Sequence, residues 1–260
     1  MHTFYCCRVS ISVMRSEPSD KAEISSQLLF GDRVELIEKN EKWCRVKSKH
    51  DNYEGWVDEK QIIPITIAEF YDDEAYSYLT PLHVLNKLED QQGDFYYLTA
   101  GTTLPYYNNG ECYVGGKTYK VHFQPVRPSS TSFYQQIAST ANFFTNAPYL
   151  WGGRSLFGID CSGFSQIVYK LCGLQIARDA YQQAEQGEVV DFLAGAIPGD
   201  LAFFDNEEGK ISHVGIMLNN AEIIHAAGRV HVDPIDNQGI FSRELGRYTH
   251  KLRIIKRLMV

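Results

Sequence analysis

Asp160-Cys161-Ser162-Gly163-Phe164, just downstream of the glycine-rich run Tyr149-Leu150-Trp151-Gly152-Gly153-Arg154-Ser155, decides how this chain is read. The residues from Cys161 to Cys172 read as a helix that Gly173 closes. Cys161 then stands in the first turn, where unpaired amide N–H groups and the positive dipole end favour thiolate over thiol. The spacing therefore predicts a nucleophile at a helix start. Cys172, at the other end of the same helix, reads as a packed small hydrophobe, which is the commoner fate of a lone cysteine.

Two histidines follow in strand-like surroundings, His213 in Ile211-Ser212-His213-Val214-Gly215-Ile216-Met217 and His225 in Glu222-Ile223-Ile224-His225-Ala226-Ala227-Gly228. An activated cysteine needs a base within hydrogen-bond reach and a third polar group that holds the base in one tautomer. A strand histidine alone is more often a satisfied core or surface residue. The coincidence of a helix-start cysteine with two such histidines shifts the balance toward chemistry.

Four ordered segments carry a resemblance: Pro148-Tyr149-Leu150-Trp151-Gly152-Gly153 with Gly158-Ile159-Asp160-Cys161-Ser162-Gly163-Phe164, then Pro198-Gly199-Asp200-Leu201-Ala202-Phe203-Phe204, then Ser212-His213-Val214-Gly215-Ile216, then Ile224-His225-Ala226. Over about the last half of the chain they resemble the NlpC-type papain-like cysteine peptidases, which cut peptidoglycan stem peptides. The resemblance implies Cys161 as nucleophile, His213 as general base and His225 as the residue that orients it, with the motif tyrosine at Tyr149. It also implies cleavage between D-glutamate and the following diamino acid in a short peptide beginning with a free L-alanine. Trp151, Asp160, Ser162 and the segment Arg178-Asp179-Ala180 would then line the pocket. Asp160 has an equally weighted alternative as the cap of the Cys161 helix.

Before this half, segments such as Val9-Ser10-Ile11-Ser12-Val13 and Trp43-Cys44-Arg45-Val46-Lys47 alternate in polarity between turn residues, the pattern of a small barrel of short strands. Met14-Arg15-Ser16-Glu17-Pro18, Leu29-Phe30-Gly31-Asp32 and Glu54-Gly55-Trp56-Val57 resemble the bacterial SH3-like domain that often accompanies NlpC-type peptidases. Residues 65–127 continue in β style, with Asn109-Gly110 as a hairpin signal. They read as a second, diverged SH3-like barrel or as an elaborated linker packed on the first. Pro125-Val126-Arg127-Pro128 marks a boundary, and a helix is expected from Phe133 to Phe144. The expected organisation is thus 1–64 and 65–127 as small all-β domains and 128–260 as an α+β papain-like peptidase domain. If the barrels close one end of the cleft, Glu54 is a candidate contact for the substrate amine, with the loop around Tyr78 next. Glu54 reads equally well as a solvated turn residue.

Composition agrees with a multi-part enzyme: 260 residues, 44% hydrophobic, net charge −7. The acidic balance offers no field for nucleic acid or an anionic membrane. Neither a basic segment with a following apolar stretch of roughly 7–15 residues nor a run of about 20 apolar residues is visible, so a cytoplasmic location is expected, or a secreted or periplasmic one if a leader has been trimmed. Six cysteines over this length do not make a disulfide framework. His2, His50, His83 and His122 are scattered, His231 and His250 read as structural, Asp233 and Asp236 read as turn residues around Pro234, and no metal or other cofactor is expected. A murein stem peptide is the expected partner, and no oligomeric state is implied. Two other classes share these features: a wall-binding or wall-remodelling protein that uses its SH3-like part, and a papain-like acyltransferase in which an amine or alcohol captures the thioester.

Overall fold

The computed structural model describes residues 3–258. His2, one of the scattered histidines named above, lies outside the described residues. The chain forms two compact units that divide between Pro128 and Ser129.

The first unit is β throughout apart from short helical turns. Strands β1 (Phe4–Cys7), β2 (Ile11–Arg15), β3 (Ile24–Leu29), β4 (Arg33–Asn40), β5 (Trp43–Ser48), β6 (Glu54–Asp58) and β7 (Ile62–Pro64) form one antiparallel sheet in the order β3-β2-β6-β5-β4-β1-β7. Alternation in sequence becomes alternation in burial, as period-two side-chain placement requires. Met14, Leu28, Val34, Val46, Val57 and Ile62 point to one buried cluster. After a short helix α1 (Ile67–Tyr71), strands β8 (Asn86–Glu89), β9 (Phe95–Leu98), β10 (Glu111–Val114) and β11 (Lys117–Val121) make a second antiparallel sheet, ordered β10-β11-β8-β9. Asn109 and Gly110 both adopt positive φ, 48° and 86°, inside a turn closed by paired bonds between Asn108 and Glu111. That is the two-residue hairpin geometry an Asn-Gly pair favours. Residues from both sides of position 64 share a core: Cys6, Phe30 and Ile65 pack with Leu88, Leu98 and Tyr119.

The second unit is α+β. Helix α2 (Phe133–Phe143) precedes a small hairpin, β12 (Arg154–Ser155) with β13 (Gly158–Ile159), and then helix α3 (Cys161–Leu171). A short helix α4 (Ala180–Gln183) leads to β14 (Glu188–Val189), β15 (Leu201–Asp205), β16 (Ile211–Met217), β17 (Glu222–Ala227), β18 (Arg229–Asp236), β19 (Gly239–Ser242) and β20 (Arg247–Arg257). These strands are antiparallel in the order β14-β20-β15-β16-β17-β18-β19, and β20 also pairs with β19. The strand made last therefore sits inside the sheet. Helix α3 is almost wholly buried and packs on β16 and β17, anchored where the Tyr169 hydroxyl donates to the Gly199 carbonyl. All six cysteines are free and buried. Among the described residues no helix is long and apolar enough to cross a membrane.

Candidate active site

Helix α3 begins where its cap requires. Asp160 has extended backbone angles, and its Oδ1 accepts from the Gly163 N–H at 2.6 Å. Its Oδ2 accepts from the Gly152 N–H at 2.8 Å, tying the preceding loop to the helix start. The glycines make this junction possible. A Cβ on Gly163 would lie 2.2 Å from the Gly153 carbonyl oxygen, and one on Gly153 would lie 2.3 Å from that of Gly158. Arg178 then grips the same carboxylate with both terminal nitrogens, Nη1 to Oδ1 at 3.1 Å and Nη2 to Oδ2 at 2.6 Å, and Nη1 also donates to Ser162 Oγ at 2.9 Å. Both charged side chains are buried. Gln183 of α4 donates from Nε2 to the Ser162 carbonyl at 3.0 Å, so α4 is pinned to the opening turn of α3.

This arrangement presents Cys161, 5% exposed, to β16, where the backbone N–H of Val214 bonds to the sulfur. The neighbouring His213 uses Nε2 to meet His225 Nδ1 at 2.9 Å, two buried rings nearly perpendicular to one another. His225 lies directly opposite His231 in the β17–β18 register. His225 Nε2 and His231 Nε2 both reach Asp233 Oδ2, at 3.4 and 3.1 Å. The other oxygen, Oδ1, accepts from the Arg243 N–H at 3.1 Å, and His231 Nδ1 lies 2.9 Å from the Arg229 carbonyl oxygen. His250 stacks on His213 with ring centroids 4.1 Å apart. Donor atoms of His213, His225 and His250, and of His225, His231 and Asp233, lie within 4.8 Å of one another, close enough to hold a cation. The contacts of 2.9–3.4 Å among them are hydrogen bonds of a continuous row, His213–His225–Asp233–His231.

Burial governs the charges here. It pushes the Cys161 thiol up to about 12, with the Asp160 carboxylate adding to the rise, while the Val214 amide, the Arg178 cation and the Ser162 amide pull the other way. The sequence predicts a thiolate from the helix start alone. The enclosed site reverses this, because desolvation outweighs the amides. Burial also holds His213 well below the usual imidazole range, with the other histidines adding to it. His225 is lowered by burial against the opposing hydrogen bond to Asp233. Burial alone would raise Asp233, but the bonds from His225 and the Arg243 amide outweigh it and keep the carboxyl below its ordinary value. Burial therefore favours the neutral form of both the Cys161 thiol and the His213 ring.

Residues 146–248 match the NlpC/P60 family and residues 14–62 match the bacterial dipeptidyl-peptidase SH3 domain. A gamma-D-glutamyl-L-lysine dipeptidyl-peptidase of Bacillus subtilis is 32% identical over 218 residues, covering 78% of this chain and 72% of the relative. The chain belongs to the NlpC/P60 family. A Bacillus cereus protein named gamma-D-glutamyl-L-lysine dipeptidyl-peptidase is 27% identical over 251 residues, covering 86% of this chain and 74% of that one. The crystal structure of an NlpC/P60 family protein from Bacillus cereus shares the fold over 98% of this chain and 99% of its own, with a TM-score of 0.80 at 20% identity. As an NlpC/P60 protein with an SH3 domain before its α+β domain, the chain is a cysteine peptidase, a hydrolase of peptide bonds.

Within this NlpC/P60 unit the remaining expected site residues are placed as follows. Tyr149 is partly exposed, and its hydroxyl is raised to about 12, first by burial and then by the nearby Cys161 and Asp160. Trp151 is 57% exposed on the loop before the helix. Asp160 and Ser162 are buried in the Arg178 clamp, with both Asp160 oxygens occupied. Asp179 caps α4, where its backbone N–H donates to Gln182 Oε1 at 3.1 Å, and Ala180 is the first, buried residue of that helix. Glu54 and Tyr78 belong to the other unit. Glu54 pairs with Arg45 across β5 and β6 at 2.9 Å, and Tyr78 packs on that unit's core beside Tyr107. Sequence reading missed Asp233, taking Pro234 as the sign of a turn. Pro234 instead sits within β18 opposite Glu222, and only Asp236, whose Oδ1 accepts from the Gln238 N–H, serves a turn. The signal available was His231-Val232-Asp233: two polar residues two apart share one face of a strand.

Proposed function

We propose that this peptidase cleaves the bond between γ-D-glutamate and the diamino acid of murein stem peptides whose L-alanine is free, releasing L-Ala-D-Glu, and that it works in the cytoplasm on peptides recovered from the wall. The observation that supports the chemistry is the 2.9 Å contact of His213 Nε2 with His225 Nδ1, on the two strands against which the Cys161 helix packs. The names of the two Bacillus relatives support the choice of bond.

In this reading Cys161 is the nucleophile, His213 its base and His225 the residue that orients the base. His213 has committed Nε2 to His225, so Nδ1 is the nitrogen that takes the thiol proton as sulfur attacks the glutamyl carbonyl. The first-turn N–H of Cys161 and the Tyr149 hydroxyl are the donors for the oxyanion, each of a kind worth about 10²–10³ in rate. The imidazolium returns its proton to the leaving amine, and a water deprotonated by the same ring then opens the thioester. Trp151, Ser162, Asp179 and Ala180 surround the acyl side. The substrate's ammonium needs an anion when desolvated. Asp160 is already committed to Arg178, which leaves Glu54 and Tyr78 as the sequence's remaining candidates for this contact.

The test incubates the full chain with L-Ala-γ-D-Glu-L-Lys, with the same peptide acetylated at its amino terminus, and with intact sacculi, and follows products by mass spectrometry. Release of L-Ala-D-Glu from the free tripeptide alone is the expected result. Cleavage of sacculi with no preference for the free peptide would mean wall remodelling, and transfer to an added amine in place of hydrolysis would mean an acyltransferase.

A further inference from the structure

We propose that Asp233 is a positioning residue for this chemistry: by accepting from His225 Nε2, it fixes the tautomers of His225 and His213 in series and leaves the Nδ1 lone pair of His213 for the cysteine proton. The proposal rests on the reading of Cys161 and His213 given above.

The derivation follows the row of bonds outward from the carboxylate. An ionised carboxylate only accepts hydrogen bonds. The Asp233 oxygen at 3.4 Å therefore requires the proton of neutral His225 on Nε2. His225 Nδ1 is then a lone pair, and the 2.9 Å contact with His213 requires His213 to donate from its own Nε2. Once that proton is placed, His213 Nδ1 has no hydrogen and is the basic atom. A histidine in the third position leaves the choice of tautomer open, since a neutral imidazole can present either nitrogen as donor. The carboxylate behind it removes the choice.

The setting is built to hold that carboxylate still. Asp233 is 1% exposed, and its Oδ1 is fixed by the Arg243 backbone N–H at 3.1 Å while Oδ2 is shared with His231 Nε2 at 3.1 Å. His225, His231 and Asp233 fall on one face of the β17–β18 pair, because His225 faces His231 in register and Asp233 stands two residues further along β18. Strand pairing alone thus delivers the carboxylate to the histidine.

Asp233→Asn separates this role from a packing role. The Asn oxygen keeps the Arg243 amide, and its NH₂ then faces His225 Nε2, which must become an acceptor. His225 turns to the Nδ1–H tautomer and His213 must follow, losing its basic Nδ1. In the full-length wild-type protein carrying ¹⁵N-histidine, long-range proton–nitrogen spectra are expected to show His213 and His225 both as Nε2–H tautomers. Finding either as Nδ1–H overturns the proposal without any variant, even if Asp233→Asn fails to fold. In the folded variant both rings are expected to switch. Its kcat should fall at least 10-fold with KM unchanged, by less than the ~10⁴ seen when the carboxylate contacts the base directly. Iodoacetamide alkylation of Cys161 should slow as well. Unswitched tautomers, or unchanged kcat and alkylation, overturn it. A wild-type protein inactive on murein peptides but showing the expected tautomers would fail the substrate reading and leave this one standing.

Discussion

Arg178 closes a two-nitrogen grip on Asp160, 3.1 and 2.6 Å, with both side chains out of water. The grip fixes the cap of the Cys161 helix and the Gly152 loop at once, since the same carboxylate accepts from the Gly163 and Gly152 amides. Arg178→Met would leave a buried anion without its cation, which costs about 3–5 kcal/mol. Urea unfolding of the two proteins measures it, and a loss under ~1 kcal/mol would show that the amides alone hold Asp160.

Cys161 should titrate late. Its thiol is raised to about 12, chiefly by burial, so the thiolate fraction grows with pH across the whole accessible range. Alkylation by iodoacetamide is expected to keep accelerating past pH 9. A plateau below pH 7 would instead reveal a preformed thiolate–imidazolium pair. Cys161→Ser should abolish peptide cleavage while leaving the circular dichroism spectrum and melting temperature nearly unchanged.

Gly163→Ala would ordinarily strengthen a helix, by up to about 1 kcal/mol. Here the new methyl would meet the Gly153 carbonyl at 2.2 Å and Asp160 Oδ1 at 3.0 Å. Backbone must shift, and overpacking of this kind costs roughly 1–3 kcal/mol. We expect lower stability together with reduced kcat, because the displaced turn carries Cys161. A variant more stable than wild type would contradict the geometry.

Acid should loosen the second unit. Histidines 213 and 225 are lowered by burial, and His250 is lowered by burial and then by His225 to about 4. Their folded pKa values lie below the unfolded value of about 6.5. The unfolded chain therefore binds more protons in between, and stability present above pH 6.5 is lost as the pH falls through that window. Melting temperatures measured from pH 7.5 to 4.5 should decline, and His250→Asn should flatten the decline. An unaltered slope in that variant would remove His250 from the account.

Glu54→Ala should raise KM for the free tripeptide and spare the acetylated one, if Glu54 meets the substrate ammonium. Equal losses on both peptides would limit Glu54 to its pair with Arg45.

The helix start, its Asp160 cap and the two strand histidines were legible because each leaves a local mark: a cap residue before an apolar helix, glycines where backbones meet, polar residues amid β-type runs. The charge state of Cys161 was not legible, since desolvation depends on what β16 and the Gly152 loop place over the sulfur. Asp233 was hidden for a related reason. Its partner is fixed by the register of β17 on β18, and the adjacent proline carries a turn signal that tertiary pairing overrides. Arg178 was visible only as part of a pocket segment, and its hold on Asp160 spans 18 positions of sequence.

Placing β20 between β14 and β15 has a consequence for biosynthesis. Cys161 is translated well before His213, and the sheet that carries the histidines cannot close until Arg247–Arg257 has been made and inserted. A nascent or truncated chain would hold its thiol without the completed row of histidines and Asp233. Proteolytic competence would then arrive only with the finished sheet, sparing the cell a half-built protease.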